Sequence, residues 1–292
     1  MASIWEPFWS HFGDFFGIKW FQKASRRKTH DFHENQLTYP WSPTDEDVKK
    51  RRDRHYAWIN YTSALAADAI YFNSAYHRES FIGTLPEFLR VFPDYQGLET
   101  VASISRRAHV LPLGMNLQVY DEIEPKYTLE EPVLLWNHRW EYDKGPEQLL
   151  AVLQACERAA LPLDIHIIGQ QFRKRPKVFG DIERLLNRSK SLACEHFGYV
   201  ESREQYEKLL AASDVVLSTA LHDFQGLAVM EAVAAGCRPL LPARLCYPQW
   251  FDAPYLYDSA LDAPAVEAES VGQALAALLA EKRCGALQTP DI

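Results

Sequence analysis

The sequence predicts an α/β protein in which short parallel strands are covered by helices on both faces. From about residue 130 onward, apolar runs of four to six residues alternate with stretches whose apolar positions recur at three-and-four spacing. That alternation is the signature of strand–helix units in a parallel sheet. The chain has 292 residues, of which 47% are hydrophobic and 24% charged. This excludes a disordered chain, a collagen-like repeat and a small disulfide scaffold, and leaves room for one large or two modest domains.

The carboxyl-terminal elements follow in order. Pro132 to Trp136 is an apolar run ended by Asn137-His138, and it reads as a buried strand. Pro146 then suits a first helical turn, and Leu149, Leu150, Leu153 and Cys156 give that helix one apolar face through about Ala160. Leu163 to Ile168 is the next strand, closed by Gly169 and followed by a basic amphipathic stretch carrying Ile182, Leu185 and Leu186. A strand near Cys194 to Phe197, a helix opened by Ser202 and a strand Asp214 to Ser218 come next. The series ends with a helix around Leu227 to Ala235, a strand near Arg238 to Leu241 and a helix near Val271 to Leu279. Ligands bind such sheets at the carboxyl ends of their strands.

The first part of the chain is less regular. Glu46 to Ala67 reads as a long helix, Ala69 to Phe72 as a strand and Ala108 to Leu111 as another, ended by Pro112-Leu113-Gly114. Residues 1–28 stand apart, because Trp5, Phe8, Trp9, Phe12, Phe15, Phe16 and Trp20 form an aromatic stripe at helical spacing. Lys19, Lys23, Arg26, Arg27 and Lys28 accompany it. The stripe reads either as a core or interdomain helix or, less plainly, as a helix lying on a membrane surface. The expected organisation is an atypical segment at 1–28, a shortened Rossmann-like domain at 29–128 and a complete one at 129–292.

The formal charge of −8 argues against a surface coated with phosphate-binding cations, though not against local patches. Such patches are Arg26-Arg27-Lys28, Lys49 to Arg52 with Arg54, and Arg173-Lys174-Arg175 with Lys177. Charge runs of this kind are as often solvated faces as binding sites. The five cysteines are odd in number and contain no Cys-x-x-Cys pair, so neither a zinc site nor a disulfide framework is indicated. No apolar run approaches the roughly 18 to 20 residues of a membrane-spanning helix, and no signal peptide opens the chain, so a cytoplasmic protein is expected.

Two segments carry chemistry. Arg139 and Lys144, with Gly145 behind them, lie between a strand's carboxyl end and a helix N-terminus, where free helical amides and two cations could neutralise a diphosphate. Asp223 and Glu231 flank a second strand-to-helix connection in which Gly226 lets the backbone come close to a ligand. Carboxylates in those places suit sugar hydroxyls and a ribose diol. Taken singly, each segment also reads as ordinary surface charge.

Together the two segments resemble retaining glycosyltransferases with two Rossmann-like domains facing a cleft, the GT-B fold. That resemblance implies that Arg139, Lys144 and Gly145 hold a donor diphosphate, with Gly226 and Leu227 contributing amides. It further implies that Asp223 lies near the transferred sugar and Glu231 near the nucleotide ribose. Asp223 departs from the family's glutamate and is one methylene shorter. A closer resemblance rests on Phe32 to Pro40, Asn73-Ser74, Asn137 to Glu141 and Tyr247-Pro248. These are similar to the tRNA-queuosine mannosyltransferase family over roughly residues 30–258. The implied reaction moves mannose from GDP-mannose to queuosine in tRNA(Asp), with no metal and no cofactor. His33 and Glu34 are then acceptor-side candidates for catalysis, and Tyr39 and Trp41 candidates to stack on a base. Relative to that family the N-terminal domain is expected to be incomplete. The competing expectations are a lipid or polysaccharide acceptor, or an inactive relative that keeps only nucleotide-sugar binding.

Overall fold

The computed structural model describes residues 20–21, 28–40, 54–121, 132–172 and 175–290. The aromatic stripe before Trp20, the cations Arg26, Arg27, Lys49 to Arg52, Arg173 and Lys174, and Trp41 lie outside the described residues. The chain divides into two compact units, Met1–Gly114 and Met115–Ile292.

In the first unit the sheet order is β1-β2-β3-β4. The strands are β1 (Trp20–Phe21), β2 (Thr29–Phe32), β3 (Ala69–Phe72) and β4 (Ala108–Val110). Strands β2, β3 and β4 are parallel, whereas β1 runs antiparallel to β2 with Trp20 opposite His30. The helical spacing expected to run through Trp20 is therefore not followed there. As a two-residue strand this segment gains ladder hydrogen bonds with β2. Three helices complete the described part: α1 (His55–Ala66), α2 (Ala75–Arg90) and α3 (Glu99–Arg107). Only the second half of the expected helix Glu46 to Ala67 is described. The core joins Phe32, Phe72 and Phe81, whose rings lie 5.0–5.3 Å apart, to Ile70, Leu85, Leu89 and Ile104.

Among its described residues the second unit holds six parallel strands in the order β10-β9-β8-β5-β6-β7. They are β5 (Val133–Trp136), β6 (Leu163–Ile168), β7 (Leu192–Gly198), β8 (Val215–Leu217), β9 (Arg238–Pro242) and β10 (Leu256–Tyr257). The helices are α4 (Pro146–Arg158), α5 (Val178–Arg188), α6 (Arg203–Ala211), α7 (Leu227–Ala234), α8 (Tyr247–Trp250) and α9 (Pro264–Arg283). Pro146 opens α4 at a position where its missing N–H costs nothing. Helix α9 packs on α4, where Gly272 lies against Ala155. Trp136, Leu149, Leu153, Ile165, Ile167, Phe179, Val271 and Leu275 form the centre of the core. Each such buried side chain contributes about 1.5–3 kcal/mol.

The strand order reverses at β5, which has β6 on one side and β8 on the other. Loops leaving two such strands diverge to opposite faces and open a crevice at the carboxyl edge of the sheet. Residues 137–145 and 218–226 are those loops; the first is one of the segments singled out from the sequence, and the second leads into the other, 222–231.

Candidate active site

The two loops are stitched together by buried hydrogen bonds. Trp136 Nε1 donates to Thr219 Oγ1 at 2.9 Å, and that hydroxyl donates to the Lys144 carbonyl at 2.9 Å. The amides of Leu221 and His222 donate to the Asp143 carbonyl at 2.8 and 3.1 Å. Lys144 Nζ donates to the His222 carbonyl at 2.8 Å. Gly145 is required at this junction: it has φ +66°, and a Cβ there would stand 2.0 Å from the Thr219 carbonyl oxygen.

Arg139 and Lys144 converge on one carboxylate oxygen. Asp143 Oδ2 lies 3.9 Å from the Arg139 guanidinium and 3.4 Å from Lys144 Nζ. Glu141 adds a contact to Arg139 at 3.4 Å. Asp143 is fully buried, while the Arg139 side chain is 40% exposed. The pair thus has a fixed inner anchor, and the Arg139 side chain keeps contact with solvent. Burial alone would lower Lys144, but Asp223 and Asp143 outweigh it and hold the ammonium charged. Asp143 carries no distinguishing signal in the sequence, since a carboxylate between two cations is ordinary in a charged loop.

Asp223 sits on the loop before α7, as expected, but all its partners belong to its own unit. Its Oδ1 accepts from the Gly226 amide at 2.9 Å and the Gln225 amide at 3.4 Å, closing the turn that leads into the helix. Its Oδ2 accepts from the Tyr247 hydroxyl at 3.3 Å and lies 3.6 Å from Lys144 Nζ. Burial would raise the Asp223 carboxyl, yet Lys144 outweighs burial and holds it below the usual carboxylate range. The Gly226 amide is therefore occupied by Asp223, and the free donors of the first helical turn begin at Leu227. Gly226 has φ +78°, and its bare Cα faces the Tyr247 ring.

His138 is buried beside this cluster, 3.1 Å from Ser218 Oγ through Nε2. Burial first, then Lys144, lowers it to about 3, so it is neutral at physiological pH. His222 is lowered to about 4 by the same two causes in the same order.

Glu231 lies one turn into α7 and is the hub of a second cluster. Arg203 reaches its Oε1 at 2.9 Å, and the Tyr206 hydroxyl donates to its Oε2 at 3.0 Å. Asn137 ties this cluster to the first loop, donating to the Ala228 carbonyl at 2.8 Å and to Tyr206 at 3.3 Å. Arg203 and Tyr206 carried no signal in the sequence beyond their place on a predicted helix.

The structure thus brings Arg139, Lys144, Gly145, Asp223, Gly226, Leu227 and Glu231 to one edge of one sheet. His33 and Glu34 belong to the first unit, just past the carboxyl end of β2. The His33 carbonyl accepts from Asn73 Nδ2 at 3.3 Å, and its imidazole lies 3.9 Å from Asp31. Glu34 is exposed. Among the described residues no group of three His, Cys, Asp or Glu side chains could hold a metal ion. Nor, among them, is any helix long and apolar enough to cross a membrane.

Comparison with solved structures defines the class. Sucrose-phosphate synthase from Thermosynechococcus elongatus superposes with a TM-score of 0.61 at 17% identity, covering 89% of this chain and 60% of that one. An α,α-trehalose 6-phosphate synthase from Burkholderia multivorans gives 0.59 at 18% identity, covering 88% and 59%. These likenesses show the GT-B fold of glycosyltransferases. Residues 120–248 also match the family described as Glycosyl transferases group 1.

Residues 13–115 match the family described as tRNA-queuosine alpha-mannosyltransferase N-terminal. The tRNA-queuosine alpha-mannosyltransferase of Drosophila melanogaster is 34% identical over 244 residues, 81% of this chain. The chain spans 62% of the length of that relative.

Proposed function

We propose that this chain is a retaining glycosyltransferase that moves mannose from GDP-mannose onto queuosine in tRNA(Asp). The observation that carries the donor half is the meeting of Arg139 and Lys144 on Asp143 Oδ2, at the reversal point of the sheet and beside the first turn of α7. Breaking the bond between the anomeric carbon and the diphosphate places charge on the departing phosphate oxygens. Two cations already held in place can stabilise that charge without reorganising, which is where such sites gain most. On this reading they supply the positive charge themselves, and no metal ion is needed. Glu231, oriented by Arg203 and Tyr206, is the group that binds the nucleotide ribose. The acceptor half is supported by the match of residues 13–115 and by the likeness to the Drosophila relative. His33 and Glu34 are the acceptor-side residues of this proposal.

The test is transfer of labelled mannose from GDP-mannose to queuosine-containing tRNA(Asp) with a chelator present. Lys144→Ala and Arg139→Ala are expected each to lower the rate by about a hundredfold or more, as removal of a preorganised donor does. Folded wild-type protein that binds GDP-mannose but transfers nothing would overturn the transferase reading.

A further inference from the structure

We propose that Tyr247 is a positioning residue of the donor site: it holds Asp223, and through Asp223 it holds Lys144. The inference rests on the donor-site reading above. Asp223 Oδ2 has one hydroxyl partner, Tyr247, at 3.3 Å, and the Lys144 ammonium stands 3.6 Å from the same oxygen. Tyr247 is fully buried, and its hydroxyl also lies 2.7 Å from Ser218 Oγ.

The direction of these hydrogen bonds follows from counting protons. An ionised carboxylate only accepts, so the single Tyr247 proton goes to Asp223. Ser218 must then donate its own proton to the Tyr247 oxygen. That leaves the Ser218 lone pairs for the Ala220 amide at 3.3 Å and for His138 Nε2 at 3.1 Å, which therefore carries a proton. The chain runs one way, from His138 through Ser218 and Tyr247 to Asp223, and every member is buried or nearly so.

Two further features fit this role. A Cβ on Gly226 would come within 3.0 Å of the Tyr247 ring, so the residue that starts α7 also makes room for the tyrosine. Lys144 is held by three groups, the His222 carbonyl at 2.8 Å, Asp143 at 3.4 Å and Asp223 at 3.6 Å. Loss of the Asp223 contact removes one of its two anionic partners and loosens the ammonium.

The experiment compares wild type, Tyr247→Phe, Asp223→Asn and the double variant. Amine acylation of the folded proteins is followed lysine by lysine by mass spectrometry, with Lys282, paired to Asp214 at 2.6 Å in the same unit, as reference. Tyr247→Phe keeps the ring and removes only the hydroxyl. It is expected to raise Lys144 labelling by about 2- to 12-fold, the worth of one ordinary hydrogen bond. Lys282 should not change, and the double variant should label no faster than Asp223→Asn alone, because Tyr247 acts through Asp223. In parallel, calorimetric titration with GDP should show weaker binding in Tyr247→Phe by a similar factor. Wild-type labelling of Lys144 in Tyr247→Phe, or effects that multiply in the double variant, would overturn the role of Tyr247 while wild-type GDP binding leaves the donor site standing. Wild-type protein that takes up no GDP would instead overturn the donor-site reading, and with it the purpose assigned to Tyr247.

Discussion

Gly145 shows how far a single residue can be read. In the sequence it ends a motif with Arg139 and Lys144, and its type suggests only a close approach to something. The structure supplies the object: the Thr219 carbonyl, on the neighbouring loop, where a Cβ would stand 2.0 Å away. Gly145→Ala must therefore adopt a left-handed conformation and also push two loops apart, and an expected loss of about 2–4 kcal/mol follows from strain and displaced packing together. Urea denaturation followed by tryptophan fluorescence checks this, and a variant as stable as wild type would show that the junction is not rigid. The roles of Asp143, Ser218 and Tyr247 were hidden for a different reason. They act through contacts between loops separated by some 24 to 80 residues, and no local spacing encodes such a meeting.

At the level of elements, the strands of the second unit were legible because a strand buried on both faces must be apolar throughout. Asp214 to Ser218 and Arg238 to Leu241 stand within a residue of β8 and β9. Helix ends were less clear: α9 runs Pro264–Arg283, well beyond the expected Val271 to Leu279, because its outer turns carry few apolar residues. Helices α2 and α3 were not set out from the sequence at all. Pro86 lies inside α2 and interrupts the usual helical reading, yet tertiary packing of Phe81, Leu85 and Leu89 carries the helix through it. That helix begins at Ser74, whose side chain accepts from the His77 amide at 3.0 Å and is itself fully buried. Ser74→Ala removes the cap and is expected to cost the first unit about 1 kcal/mol. Hydrogen exchange should show faster opening of amides in α2 with no change in α4 or α9, and equal change in both units would contradict the assignment of the effect to the cap.

For the molecule as a whole, the α/β class was legible because the alternation of strand and helix that predicts it depends on backbone periodicity alone. Buried titratable groups were not foreseeable, because burial is a property of the finished fold. They give the second unit a definite response to acid. His138 and His222 are held near 3 and 4 by burial, and His166 is lowered for the same reason. A histidine depressed in the folded state binds fewer protons there than in the unfolded chain, where it titrates near 6.5. Stability is therefore complete above that value and is lost as pH falls below it, until the folded-state value is reached. Each such group costs about 1.4 kcal/mol per pH unit inside that window. His138 and His222 together should remove about 3–4 kcal/mol between pH 7 and pH 5. Among the described residues of the first unit, burial lowers His30 to about 4, and beside it burial raises Asp31, which therefore pulls the opposite way once it begins to protonate, so that unit also responds to acid. Pulse proteolysis in urea at pH 7 and pH 5, read by fragments from each unit, would measure both losses. A second unit equally stable at the two values would mean that His138 and His222 are not held neutral in the fold.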